Sequence, residues 1–128
     1  MSTQSSPLLR CLVPCDSSAP RLVRRALAAH EVIKPARDDV LLVASELVTN
    51  AVLHSGCDPS EEVEVVAETL PGALRIEVTD PGRSDTEPMV KPRFPGPGGD
   101  GLRVVDELAR RWGIERHEGL RVWAEIAL

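Results

Sequence analysis

The stretch SELVTNAVLHSG (Ser45–Gly56) reads as amphipathic helix, yet it carries three residues that packing alone does not call for. Together with Val40, Val43 and Ala44 upstream, Leu47 and Ala51 recur at helical spacing. At about 100° per residue the apolar arc centres near Leu47 and Ala51. Asn50 and His54 fall just inside one edge of that arc, and Glu46 just outside the same edge. The three line one flank at steps of four. Asn is a mediocre helix former because its amide competes for backbone hydrogen bonds. A polar group half in a core costs about 1–3 kcal/mol if unpaired, so this flank calls for a partner. Taken alone, E-x-x-x-N-x-x-x-H also suits a helix whose Asn bonds nearby backbone, whose Glu is solvated and whose His marks a boundary.

The elements on either side follow from the same pattern reading. Leu8–Val13 is a short apolar strand. Ser18 is a candidate N-cap, and Pro20 opens a first helix with Leu22, Val23, Ala26 and Leu27 on its apolar face and Arg21, Arg24 and Arg25 on its wet face. The second helix begins near Pro35, places Asp38 and Asp39 at its positive dipole end, and stops near Gly56. EVEVVAET and ALRIEVTD form a hairpin about Pro71-Gly72, with Leu74, Ile76 and Val78 on its buried side. Residues 81–100 are broken by Pro and Gly throughout, which predicts a lid or binding loop. A third helix, GLRVVDELARRW, puts Leu102, Val105, Leu108, Ala109 and Trp112 on one face and stops at Gly113. A last hairpin turns near Glu118-Gly119 and buries Val122, Ala124, Ile126 and Leu128. The expected fold class is α+β: a two-layer sandwich of a mainly antiparallel (mixed) sheet with three helices on one face. Residues 1–7 are expected to be a flexible tail, and 8–128 a single domain.

Composition narrows the function classes. The chain has 128 residues and is 42% hydrophobic, enough for one core and without a run long enough to span a membrane. A net charge of −5 argues against a general nucleic-acid binder, whose footprint is basic. MSTQSSPLLR lacks the basic and apolar regions of a signal peptide, and the odd cysteine count (Cys11, Cys15, Cys57) fits reduced thiols. The expected location is cytoplasmic.

Two further places carry chemistry. Asp80 has the parity of Leu74, Ile76 and Val78, so its carboxylate is expected on the core side. The following Pro81-Gly82 lets backbone approach a ligand closely, and a carboxylate there can accept an exocyclic amine. An Asp that simply starts a turn is the alternative. Gly96–Leu102 (GPGGDGL) is a glycine cluster opening onto a helix, where exposed N–H groups and the helix dipole favour phosphate. It lacks G-K-[ST] and is not a Walker A loop. A plain connection is its alternative.

Taken in order, SELVTNAVLHS, VTDPG and GPGGDGLRVV resemble the N box and the two glycine boxes of the Bergerat-fold (GHKL) ATPases. Within that group the chain is similar to the small anti-sigma factor serine/threonine kinases of bacterial partner switching, from about Leu8 to the C-terminus. The resemblance implies ATP and Mg²⁺ as cofactors. Asn50 would bind Mg²⁺, and Glu46 would be the general base. Asp80 would accept the adenine amine, with Gly82 beside it. Gly98, Gly99, Gly101 and Leu102 would form the phosphate-side segment. Arg83, Lys91 and Arg93 could add charge to the phosphates. The implied partners are an anti-sigma-factor antagonist and a sigma factor, with a homodimer also in keeping with the family. Two positions depart from the pattern: Ser84 stands where a second glycine is common, and Asp100 where Arg or Lys is common. A nucleotide-binding switch module without kinase activity, or a generic ATPase, therefore stays open beside the kinase.

Overall fold

In the computed structural model, which describes residues 7–81, 101–117 and 119–128, the strand β1 (Leu9–Pro14) is followed by α1 (Ala19–Ala28). Pro20 sits in the first turn of α1, where a missing N–H costs nothing. Ser18 holds the N-cap position but does not cap with its side chain. Its backbone N–H donates to Asp16 at 2.8 Å, and its hydroxyl donates to the same carboxylate. Those bonds, the hydroxyl's first, hold the Asp16 carboxyl below its ordinary pKa. Ala19, Val23 and Leu27 form the buried stripe, whereas Leu22, expected on it, is exposed.

A 3-10 turn, Glu31–Ala36, precedes α2 (Arg37–His54) and contains Pro35. The second helix thus starts two residues later than the sequence suggests, because the backbone leaves the helical region at Ala36 (φ −135°, ψ 34°), where the 3-10 turn meets α2. At 18 residues α2 is about 27 Å long. Val40, Val43, Ala44, Leu47, Val48 and Ala51 are buried. The Ser55 N–H closes its last turn on the Ala51 carbonyl at 3.1 Å, and Gly56 turns the chain with φ +78°.

The hairpin of β2 (Glu62–Leu70) and β3 (Ala73–Thr79) turns at Pro71-Gly72, where Gly72 has φ +72°. The chain then reaches α3 (Gly101–Leu108), β4 (Arg111–His117) and β5 (Gly119–Ala127). Strand order is β1-β2-β3-β5-β4, and every neighbouring pair among the described strands is antiparallel. The helical layer lies on the face carrying Val63, Val65, Leu74, Ile76, Val78, Val122 and Ala124, all in one core with Leu47 and Val48. α2 packs on β2, β3 and β5, between α1 and α3.

Two further sequence expectations are corrected. The third helix ends at Leu108, not Trp112. The Arg110 N–H donates to the Glu125 carbonyl at 2.9 Å, so pairing with β5 takes over there, and Trp112 lies in β4 opposite Ala124. The Trp112 indole still reaches back to α3, donating to Asp106 at 2.8 Å. The second correction concerns the thiols: Cys15 and Cys57 form a disulfide with a Cα–Cα distance of 6.2 Å, leaving Cys11 free. Closing a 42-residue separation stabilises the fold by about 3–4 kcal/mol on chain-entropy grounds.

The opposite face of the sheet is a polar lattice. Glu125 is buried and accepts ion pairs from Arg75 (3.3 Å), Arg111 (3.1 Å) and Arg110 (3.7 Å). Burial would lower the Arg75 pKa, but the hydrogen bonds and charges of Glu77 and Glu125 outweigh it and raise it. The Arg75 guanidinium lies 4.2 Å from the centre of the Trp123 ring. That ring covers Gly113, where an added Cβ would meet ring atoms at 2.8–2.9 Å. Gly113→Ala is therefore expected to cost about 1–3 kcal/mol through overpacking, read as a lower urea midpoint with an unchanged slope. Wild-type stability in that variant would show that Trp123 is not seated on the strand.

Candidate nucleotide site

The buried stripe of α2 fixes how its flank is presented. Glu46 and Asn50, one turn apart, are both half-buried, as the wheel requires. His54, placed inside the apolar arc by the wheel, is exposed at the last residue of α2, beside the exposed Leu53. It takes no part in the grouping. Immediately behind Glu46, Ser45 is buried. Its hydroxyl donates to the Leu41 carbonyl at 2.8 Å and accepts from Arg24 Nη1 at 3.0 Å. That pair ties α1 to the turn of α2 that carries Glu46, a link the sequence reading missed by treating Arg24 as simply solvated. A cation one helix away from a buried serine leaves no periodic signal.

Asp80 follows the last residue of β3 and is only 7% exposed, on the core side as its parity demands. Its backbone N–H donates to the Leu120 carbonyl at 3.0 Å, and its Oδ1 accepts the Leu120 N–H at 3.3 Å. The β3–β5 ladder is thus carried one residue further with a side-chain oxygen standing in for a main-chain one. A carboxylate has about four acceptor sites and can accept from more than one N–H at once. This buried, oriented acceptor fits an adenine edge.

α3 begins at Gly101, and Leu102 is buried in the same core as Leu47, Val48 and Ala51. The Leu102 side chain therefore anchors the helix, and any contact it makes with a ligand has to come from its backbone. α2 packs on both β3 and α3, so the elements that carry Glu46, Asn50, Asp80 and Leu102 share one core. Gly82, Gly98 and Gly99, the departures Ser84 and Asp100, the cations Arg83, Lys91 and Arg93, and residues 82–100 of the expected lid lie outside the described residues. So do residues 1–6 of the expected tail. The residues that are described suit the two implied groups: a half-buried Asn oxygen is a hard donor of the kind Mg²⁺ takes alongside phosphate oxygens and waters, and Asp80 suits the base.

Residues 17–126 match the histidine kinase-like ATPase domain family. The chain belongs to that family, and its fold is of the GHKL ATPase type. An uncharacterized protein of Streptomyces coelicolor is 35% identical over 79 residues, 56% of this chain and 69% of that one. Among solved structures, the RsbU and RsbW domains of Rv1364c from Mycobacterium tuberculosis superpose with a TM-score of 0.66 at 21% identity, over 96% of this chain and 33% of that one. The histidine kinase domain of a blue-light activated histidine kinase from Erythrobacter litoralis EL346 gives 0.53 at 29% identity, over 70% and 43%. The chain thus spans less than half the length of either structural neighbour.

Asp80 has a structural duty that can be separated from its chemistry. Asp80→Ala leaves the buried Leu120 N–H without its acceptor and is expected to cost about 1–3 kcal/mol. Asp80→Asn keeps an acceptor oxygen and should cost clearly less. Equal denaturation midpoints for the two variants would contradict this account of the ladder end.

Proposed function

We propose that this domain binds Mg–ATP and transfers the γ-phosphoryl group to a serine or threonine hydroxyl of a protein partner, an anti-sigma-factor antagonist. The observation that carries the proposal is the core-facing carboxylate of Asp80 at the end of β3, in a histidine kinase-like ATPase fold whose adjoining helix presents Glu46 and Asn50. Asp80 accepts the adenine amine, a bond to a charged acceptor worth about 1.5–3 kcal/mol. Asn50 holds Mg²⁺ through its amide oxygen, and the cation supplies neutralisation of phosphate charge. Glu46 takes the proton of the partner's hydroxyl as its oxygen attacks the γ-phosphorus and ADP leaves. Phosphoryl transfer asks the protein mainly for positioning and charge, and the Arg24–Ser45 tie keeps the Glu46 turn in place.

The likeness to a structure containing RsbU and RsbW domains supports partner switching as the setting. In that setting the phosphate added to the antagonist breaks its docking by charge and desolvation, and the domain, as a homodimer, then holds a sigma factor. Membership of an ATPase family and the lack of a membrane-spanning helix among the described residues agree with a cytoplasmic regulator of transcription. The sequence departures Ser84 and Asp100 favour a second reading, a nucleotide-dependent switch that binds without transferring.

Two variants separate these readings. In calorimetry Asn50→Ala should lose Mg²⁺-dependent ATP binding while its far-ultraviolet circular dichroism stays native. Glu46→Ala should bind ATP like the wild type and transfer phosphate to a verified partner about 10²–10⁴-fold more slowly. Full transfer by Glu46→Ala would remove it as the base, and binding without transfer in the wild type would select the second reading.

A further inference from the structure

The disulfide lies at the end of the helix that carries the site. Cys15 directly follows the sheet's edge strand β1 and is 4% exposed, whereas Cys57, three residues beyond α2, is half-buried and more open to solvent. The two do not rely on their own bond to stay close. Pro14 pairs with Glu62 in the β1–β2 register, and the Cys15 N–H donates to the Glu61 carbonyl at 3.0 Å. The segment from Cys57 to Glu61 is held by its own bonds: Asp58 accepts from Ser60, and the Glu61 N–H closes on the Asp58 carbonyl at 2.8 Å. Opening the disulfide therefore leaves both sulfurs positioned to close it again.

Cys57 is also wired to α2. Its N–H donates to Ser55 Oγ at 3.1 Å, and the Ser55 hydroxyl donates to Cys57 Sγ at 2.8 Å, a bond that would stabilise a thiolate. The same sulfur lies 4.0 Å from the carbonyl of Ala51, the acceptor that closes the last turn of the helix. Asn50 is the residue before Ala51. Burial pushes the Cys11 thiol up, which makes it a poor competitor for exchange.

We propose that Cys15 and Cys57 are a reversible dithiol–disulfide couple that sets the order of the last turn of α2 and, through it, the presentation of Asn50. The second half rests on the nucleotide reading; the first does not. In the oxidising direction the Cys57 thiolate attacks one sulfur of a low-molecular-weight disulfide, forming a mixed disulfide and expelling one thiolate. The Cys15 thiolate then attacks Cys57 Sγ and expels the second. Two protein thiols become one disulfide, one small disulfide becomes two thiols, and the protons pass to the expelled thiolates. The oxidised protein carries a more ordered helix end and binds Mg–ATP more tightly, because less ordering remains to be done on binding.

The test poises the whole chain at graded ratios of reduced to oxidised glutathione. Alkylation and mass spectrometry count the thiols, hydrogen exchange follows the amides from Asn50 to Ser55, and calorimetry reads Mg–ATP affinity. The expected result is a single two-electron transition that is absent in Cys57→Ser and retained in Cys11→Ser. Amide exchange at the helix end should be about tenfold slower in the oxidised form, with Mg–ATP bound several-fold more tightly. Identical exchange in the two states of the wild type overturns the proposal, as does a disulfide that no glutathione ratio opens without denaturant. Exchange that differs while affinity stays equal overturns the link to Asn50. Slower exchange in the oxidised form with no nucleotide bound in either state supports the couple and sinks the nucleotide reading instead.

Discussion

Everything in this fold depends on one helix burying one face. α2 packs on β2, β3 and β5 and is flanked by α1 and α3, so it meets more of the molecule than any other helix does. Val40, Val43, Ala44, Leu47, Val48 and Ala51 fix its rotation about its own axis. Once that rotation is set, Glu46 and Asn50 can only sit at the border between core and solvent. That border is where a polar side chain can be both held by packing and reached by a ligand.

The sheet supplies the complementary constraint. Inserting β5 between β3 and β4 places Leu120 beside Asp80 and turns the end of β3 into an oriented acceptor. The opposite face of the same strands shows how costly charge is managed without a ligand. There Glu125 is enclosed by three guanidinium groups, and Trp123 lies between Arg75 and the glycine that makes room for its ring. One face of the sheet thus holds its charges among its own side chains, while the other, at Asp80, carries a buried carboxylate that accepts from the Leu120 N–H.

Local rules made much of this legible in the sequence. Helical spacing around Leu47, strand parity through Val78 to Asp80, and the Pro71-Gly72 turn each depend on neighbours within a few residues, and each appears in the structure where it was expected. What escaped depends on distant partners. Trp112 suits a helix face as well as a strand, and only the ladder to β5 decides between them. Cys15 and Cys57 are 42 residues apart, and their proximity follows from the β1–β2 register rather than from spacing. Arg24 reads as solvated until α1 is laid against Ser45. Of the candidate site, the α2 flank and Asp80 could be placed from periodicity, whereas the glycine boxes were recognisable only by composition and order.

The central claim is that the α2 flank, the end of β3 and the start of α3 enclose one nucleotide. Titrating isotope-labelled protein with Mg²⁺ and a non-hydrolysable ATP analogue, and following the backbone amides by NMR, tests it directly. The account predicts that Glu46, Asn50, Asp80 and Leu102 shift together along a single saturating isotherm. Shifts confined to the cleft that Pro20, Thr49 and Leu53 line between α1 and α2, or no saturable shift at all, would contradict it.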